Sequence, residues 1–166
     1  APNQKILIID QDKSSFVKWG FTPSWAKKSF NLINARSETV FEKPSFKNSN
    51  RCLIPADGWF EWKKEGKIKK PYFHYLGTQD FCFAGIYGSY NDEISSAIIT
   101  RKSTDNLRYI HNRMPLILHK SFYQDWLKGV FVNINDLVID KKVDVIQVST
   151  YVNNPSNDDK KCTSSI

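Results

Sequence analysis

Short apolar runs broken by turn residues are what most restrict the fold open to this chain. Ile6–Ile9, Phe16–Trp19, Cys52–Ile54, Trp59–Lys63, Pro71–Tyr75, Phe81–Tyr87 and Ala97–Thr100 are too brief for buried helices and end at turn signals, so each reads as a strand. Between Trp59–Lys63 and Pro71–Tyr75 lies K-K-E-G-K-I-K-K, where Gly66 in a charged stretch signals a β-hairpin. Its lysines can touch phosphate, but a solvated hairpin tip is the preferred reading. Helical signals are fewer. Ser37 to Glu42 suggests one turn or two, Asp105 to Ile110 a short helix, and Ser121 caps a helix whose Phe122, Trp126 and Leu127 recur at core-packing spacing. The polar tail from Asn153 to Ile166 reads as a frayed loop. No repeat, low-complexity tract or linker divides the chain, so residues 1–166 read as one strand-rich α+β domain. A chain of this length buries about 70% of its unfolded surface and needs no staple or metal to hold a core.

Lys and Arg outnumber Asp and Glu by 24 to 17, a net charge of +7 that favours an anionic partner such as nucleic acid, although a merely solvated basic surface fits as well. The three cysteines are odd in number, and none sits at zinc spacing with His74, His111 or His119, so neither a disulfide framework nor a metal is expected. A reduced, cytoplasmic compartment suits them. Cys52 and Cys82 stand in apolar runs, where a cysteine acts as a small buried hydrophobe and not as a nucleophile. No stretch is long and apolar enough for a membrane span, and no targeting signal is visible.

Some residues carry chemistry of their own. His111 can exchange a proton near neutral pH, and Arg113 beside it can hold a phosphate bidentately; a lone histidine is nevertheless more often structural. Glu61 lies between Phe60 and Trp62, where limited hydration would raise its pKa into the range useful for acid catalysis. Strand alternation puts Phe60 and Trp62 on one face and Glu61 on the other with Trp59 and Lys63, so a surface glutamate remains equally open. Asn34 and Arg36 project from one side of an extended segment and suit a sugar and a phosphate. Trp19 and Trp25 offer flat surfaces for unpaired bases, yet at least three of the five tryptophans are assigned to the core.

Ordered segments then add what spacing cannot. W-G-F-T-P-S-W (Trp19 to Trp25), I-N-A-R-S-E-T (Ile33 to Thr39), K-P-S-F (Lys43 to Phe46), R-C-L-I-P-A-D-G-W-F-E-W (Arg51 to Trp62), F-A-G-I-Y (Phe83 to Tyr87), I-H-N-R-M-P (Ile110 to Pro115) and V-S-x-x-V-N-N (Val148 to Asn154) occur in order. Together they resemble the SRAP family, the SOS-response-associated peptidase fold that captures abasic sites in single-stranded DNA. The resemblance implies a β-barrel-like core with short peripheral helices. It also implies that Asn34, Glu61 and His111 are catalytic and that Arg36 and Arg113 line the DNA groove. Trp19, Trp25 and Pro2 are expected to contact DNA beside them.

In that family an N-terminal cysteine condenses its α-amine with the aldehyde of a ring-opened abasic sugar and closes with its thiol to a thiazolidine. The same site frees the cysteine by removing the initiator methionine. Ala1-Pro2-Asn3-Gln4 resembles a later family segment, A-P-x-Q, so the family's cysteine-bearing start is expected upstream of Ala1 or not at all. The resulting expectation is a monomeric abasic-site sensor, cofactor-free and cytoplasmic, associated with the nucleoid in a bacterium. The alternatives are a non-covalent single-stranded DNA-binding module that has lost the nucleophile, and a cysteine peptidase acting on other proteins. The last is the weakest, because it needs a Cys–His pair within hydrogen-bond reach.

Overall fold

The computed structural model describes residues 1–77, 80–130, 133–134 and 143–166. In chain order its strands are β1 (Lys5–Ile9), β2 (Ser14–Trp19), β3 (Asn34–Arg36), β4 (Asn50–Ala56), β5 (Gly58–Glu65), β6 (Ile68–Tyr75), β7 (Phe81–Tyr90), β8 (Glu93–Lys102), β9 (Arg113–Pro115), β10 (Ile117–Leu118) and β11 (Asp144–Gln147), with one α-helix, α1 (Tyr123–Lys128). Every apolar run expected to be a strand lies in one. The described residues form two compact units. The first draws on Ala1–Pro55, Phe81–Arg101 and Pro115–Asp140, the second on Ala56–Asp80, Lys102–Met114 and Lys141–Ile166.

The first unit is built on a sheet in the order β10-β7-β4-β1-β2-β8-β3. Because β7 also pairs with β8, antiparallel from Gly85↔Ile98 to Tyr90↔Glu93, the path closes into a ring of strands. This ring is the form taken by the β-barrel-like core expected from the sequence. Its interior is dry, with Ala84, Ile86, Ala97, Ile99 and Leu116 fully buried in one cluster with Phe21, Phe46 and Trp126. Packing is close enough that Gly85 is required for space. A Cβ there would lie 2.6 Å from Ile54 Cδ1 and 2.9 Å from Cys52 Sγ, well inside van der Waals contact.

Helix α1 covers this core. It follows a 3-10 turn, Lys120–Phe122, and the capping acceptor is the His119 side chain, which receives the Ser121 N–H; the Ser121 cap expected from the sequence is therefore two positions late. Gly129 ends the helix at φ 69, a left-handed turn that favours glycine, and its N–H returns to the carbonyls of Asp125 and Trp126. Trp126 and Leu127 are buried as their spacing implied, and the Trp126 indole donates to the Cys52 carbonyl at 2.9 Å.

The second unit holds a three-stranded antiparallel sheet in the order β11-β6-β5. Gly66, at φ 61, begins a two-residue turn that joins Glu65 to Ile68, and that turn sets the whole β5–β6 register: Lys63↔Lys70, Glu61↔Tyr72, Trp59↔His74. Gly58 leaves room for the Phe73 ring, whose edge lies 2.3 Å from where a Cβ would stand.

Three expectations need correction. Ser37–Glu42 and Asp105–Ile110 form hydrogen-bonded turns instead of helices: Glu42 and Lys43 N–H both reach Thr39 O, and Leu107 and Arg108 N–H both reach Thr104 O. Pro44 stands just past the first of these, where a helix would have to continue. The tail is also ordered, through 3-10 turns at Thr150–Asn153 and Lys160–Thr163 and a bridge from Val148 to Ser165. Finally, only Trp59 and Trp126 are core tryptophans; Trp19 and Trp62 are half-buried and Trp25 is 55% exposed. Among the described residues no helix is long and apolar enough to cross a membrane.

Candidate active site

In the second unit, alternation along β5 places Trp59, Glu61 and Lys63 on one face of the sheet and Phe60 and Trp62 on the other. The aromatic pair on the far face lies with ring centroids 6.5 Å apart. Glu61 faces a small cleft lined by Trp59, His74, Ser103, Leu107, His111, Arg113 and Met114. The cleft has about 160 Å³ of empty space, counted together with solvent at its mouth. Much of its wall is dry, since Trp59, Leu107 and Met114 are buried.

Glu61 Oε2 lies 3.7 Å from His111 Nδ1, with the carboxylate side chain 25% exposed and the imidazole 45%. That distance is an ion-pair contact, longer than a hydrogen bond. Burial pushes the Glu61 carboxyl above its ordinary range, and attraction to His111 pulls it partway back. The carboxyl is thus partly withdrawn from water, and the surface-glutamate alternative is set aside.

The His111 ring is anchored in either tautomer. The Arg113 N–H points at Nδ1 from 3.3 Å, while the Arg113 carbonyl lies 3.0 Å from the same nitrogen. A bare Nδ1 accepts from that N–H, and a protonated one donates to that carbonyl.

Sequence reasoning passed over His74. It is 2% exposed and stacks on Trp59 with centroids 4.9 Å apart and planes 18° from parallel. Burial drives its pKa down to about 4, against the pull of the Tyr72 and Trp59 carbonyls, so it is neutral at pH 7. The hairpin supplied the signal that would have found it: a two-residue turn at Gly66 necessarily sets His74 opposite Trp59.

Of the residues singled out in the sequence, Glu61, His111 and Arg113 share this cleft. The others belong to the first unit. Asn34 and Arg36 flank the buried Ala35 in β3 and are both exposed, as the extended reading required; β3 runs parallel to β8 with Asn34↔Ile98 and Arg36↔Thr100. Trp19 is held at the entrance to that strand, its indole donating to Ile33 O at 2.8 Å. Pro2 is exposed, and the next residue, Asn3, donates its N–H to Trp19 O at 2.8 Å. Trp25 donates to Pro44 O at 3.2 Å and meets Phe30 edge-on. All three cysteines are free and buried, and burial raises the Cys52 thiol far above its ordinary pKa. Among the described residues no group of His, Cys, Asp and Glu is placed to hold a metal ion.

Comparison with known proteins gives the family. The family profile described as SOS response associated peptidase (SRAP) matches residues 1–155. The chain belongs to the SRAP family. It is similar to the abasic site processing protein YoqW of Bacillus subtilis, 37% identical over 180 residues that span 95% of this chain and 80% of that protein. The similarity to YedK of Escherichia coli is 36% over 140 residues, 77% of this chain and 63% of that one. A solved protein from Bacteroides thetaiotaomicron superposes with a TM-score of 0.88 at 28% identity, covering 99% of this SRAP chain and 82% of its own.

Proposed function

We propose that this SRAP protein processes abasic sites in DNA, and that it does so on single strands, as a cytoplasmic monomer. The observation that carries the reading is the Glu61–His111 pair, 3.7 Å apart in a half-dry cleft, in a chain whose relatives are abasic site processing proteins. Cross-linking needs proton transfer at each step. The α-amine of an N-terminal cysteine attacks the sugar's aldehyde carbon, and the carbinolamine hydroxyl leaves as water once Glu61 gives it a proton. The thiol then adds to the resulting iminium carbon as its proton passes to a base, which leaves the ring nitrogen neutral and protonated. One water is lost overall, and a thiazolidine joins strand and protein.

In this reading His111 assists opening of the deoxyribose ring and Asn34 orients the reacting groups. Arg36 and Arg113 hold phosphates, while Trp19, Trp25 and Pro2 contact DNA. The same acid–base pair serves removal of a methionine that precedes the cysteine. The second reading, a non-covalent single-stranded DNA-binding module, draws on one observation: Cys52, Cys82 and Cys162 are internal and buried, so none offers both a free α-amine and a thiol.

Denaturing gels after incubation with an abasic single-stranded oligonucleotide separate these readings. The chain beginning at Ala1 should give no heat-stable adduct, and the same chain carrying the family's Cys-initiated start should give one. A shifted band from the Ala1 chain would place the nucleophile elsewhere and sink the proposed chemistry. DNA binding without cross-linking by both chains would leave the binding module. Within the restored chain, Glu61→Ala should slow cross-linking by roughly a hundredfold or more.

A further inference from the structure

The lysines of the β5–β6 hairpin are not equivalent. Register pairs Lys63 with Lys70 and Lys64 with Lys69, and alternation sends the two pairs to opposite faces of the sheet. Lys63 and Lys70 share the face of Glu61. Glu65 bridges them, with Oε1 2.8 Å from Lys63 Nζ and Oε2 2.5 Å from Lys70 Nζ, and the two ammonium groups hold its carboxyl down at about 2. Each ammonium has three donors and spends one on Glu65, so the pair keeps donors and a net positive charge.

Beside them stands an aromatic ring. Tyr109, 57% exposed and two residues before His111, has Lys63 Nζ 5.5 Å from its ring centroid. A largely exposed ring next to a bridged lysine pair supplies both halves of single-strand recognition, a surface for a base to stack on and cations for the backbone beside it.

We propose that Tyr109, Lys63 and Lys70 form a nucleotide subsite adjoining the Glu61–His111 cleft, in which a base next to the abasic position stacks on Tyr109 and its phosphate lies on the two lysines. The subsite rests on the single-stranded DNA reading given above. It also predicts a difference between two charge-matched variants. Lys63→Gln with Lys70→Gln removes two positive charges from the Glu61 face, and Lys64→Gln with Lys69→Gln removes two from the other.

The test is a titration of the chain with a fluorescent single-stranded oligonucleotide across a salt series. Loss of that phosphate contact should lower the slope of log affinity against log salt by about 0.7 in the Lys63/Lys70 variant. The Lys64/Lys69 variant should keep nearly the parent slope. Tyr109→Ala should weaken binding by roughly 5- to 150-fold, the range set by stacking one base, and Tyr109→Phe should restore it. If the two lysine variants change the slope equally, or if Tyr109→Ala binds like the parent, the subsite is overturned while the DNA reading stands. If the unaltered chain binds no single strand at low salt, that reading falls and the subsite with it.

Discussion

Cys52 in β4 and Glu61 in β5 both lose water on folding, and burial raises the pKa of each. The consequences run in opposite directions because the two groups start from opposite sides of neutrality. Cys52 is fully buried among Ile54, Gly85 and Trp126 in the first unit, and raising a thiol suppresses the thiolate that would react. Glu61 is only partly buried in the second unit, and raising a carboxyl moves it toward the pH at which it can both give and take a proton. Even their surroundings differ in kind. β7 and β8 run through long stretches of fully buried residues, whereas most residues of β5, β6 and β11 are half-buried. The first unit is closely packed and dry, and incomplete burial in the second leaves Glu61 and His111 partly open to solvent.

Three experiments probe that contrast. The largest effect should come from Trp126→Ala, which empties a fully buried site and strips the Cys52 carbonyl of its indole donor. A loss of about 3–5 kcal/mol is expected in urea unfolding. A loss below about 1 kcal/mol would mean that the first unit is not held by this packing. Gly85→Ala comes next. The added methyl must displace Ile54 and Cys52, at a cost of about 1–3 kcal/mol by the same measurement. An unchanged midpoint would show that the ring has slack.

Glu61→Gln should give the smallest change, and in the opposite sense. A carboxyl whose folded pKa is raised favours the folded state below its unfolded value, near 4.5, and loses that contribution as pH climbs through the folded value. His74, His111 and Arg113 are the other ionisable side chains lining the cleft. The glutamine variant escapes the loss, so its melting temperature should exceed the parent's at pH 7, and the gap should close near pH 4. A gap that does not vary with pH would mean that burial leaves Glu61 unperturbed.

Local periodicity revealed the strands, because runs such as Phe81–Tyr87 and Ala97–Thr100 carry their own signal. It did not reveal β10, whose two residues Ile117 and Leu118 are both buried and too few to show a period. Nor could it show that the tail is ordered, since Ser165 is held by a distant partner, Val148. The turns at Ser37–Glu42 and Asp105–Ile110 have the composition of helix starts, and only their surroundings stop them from propagating. At the site, strand alternation separated Glu61 from Phe60 and Trp62. The approach of His111, fifty positions later in the chain, followed from motif resemblance and not from spacing. His74 lay hidden because a histidine in P-Y-F-H-Y announces nothing until the hairpin register is applied.

The two units interleave along the chain, three segments of one alternating with three of the other. Heredity feels this arrangement as much as folding does. A single recombination between this sequence and a relative's, wherever it falls inside the alternating stretch, exchanges portions of both units and leaves each a hybrid. Ring interior and titratable cleft are therefore inherited together, and replacing one alone would take several coordinated exchanges.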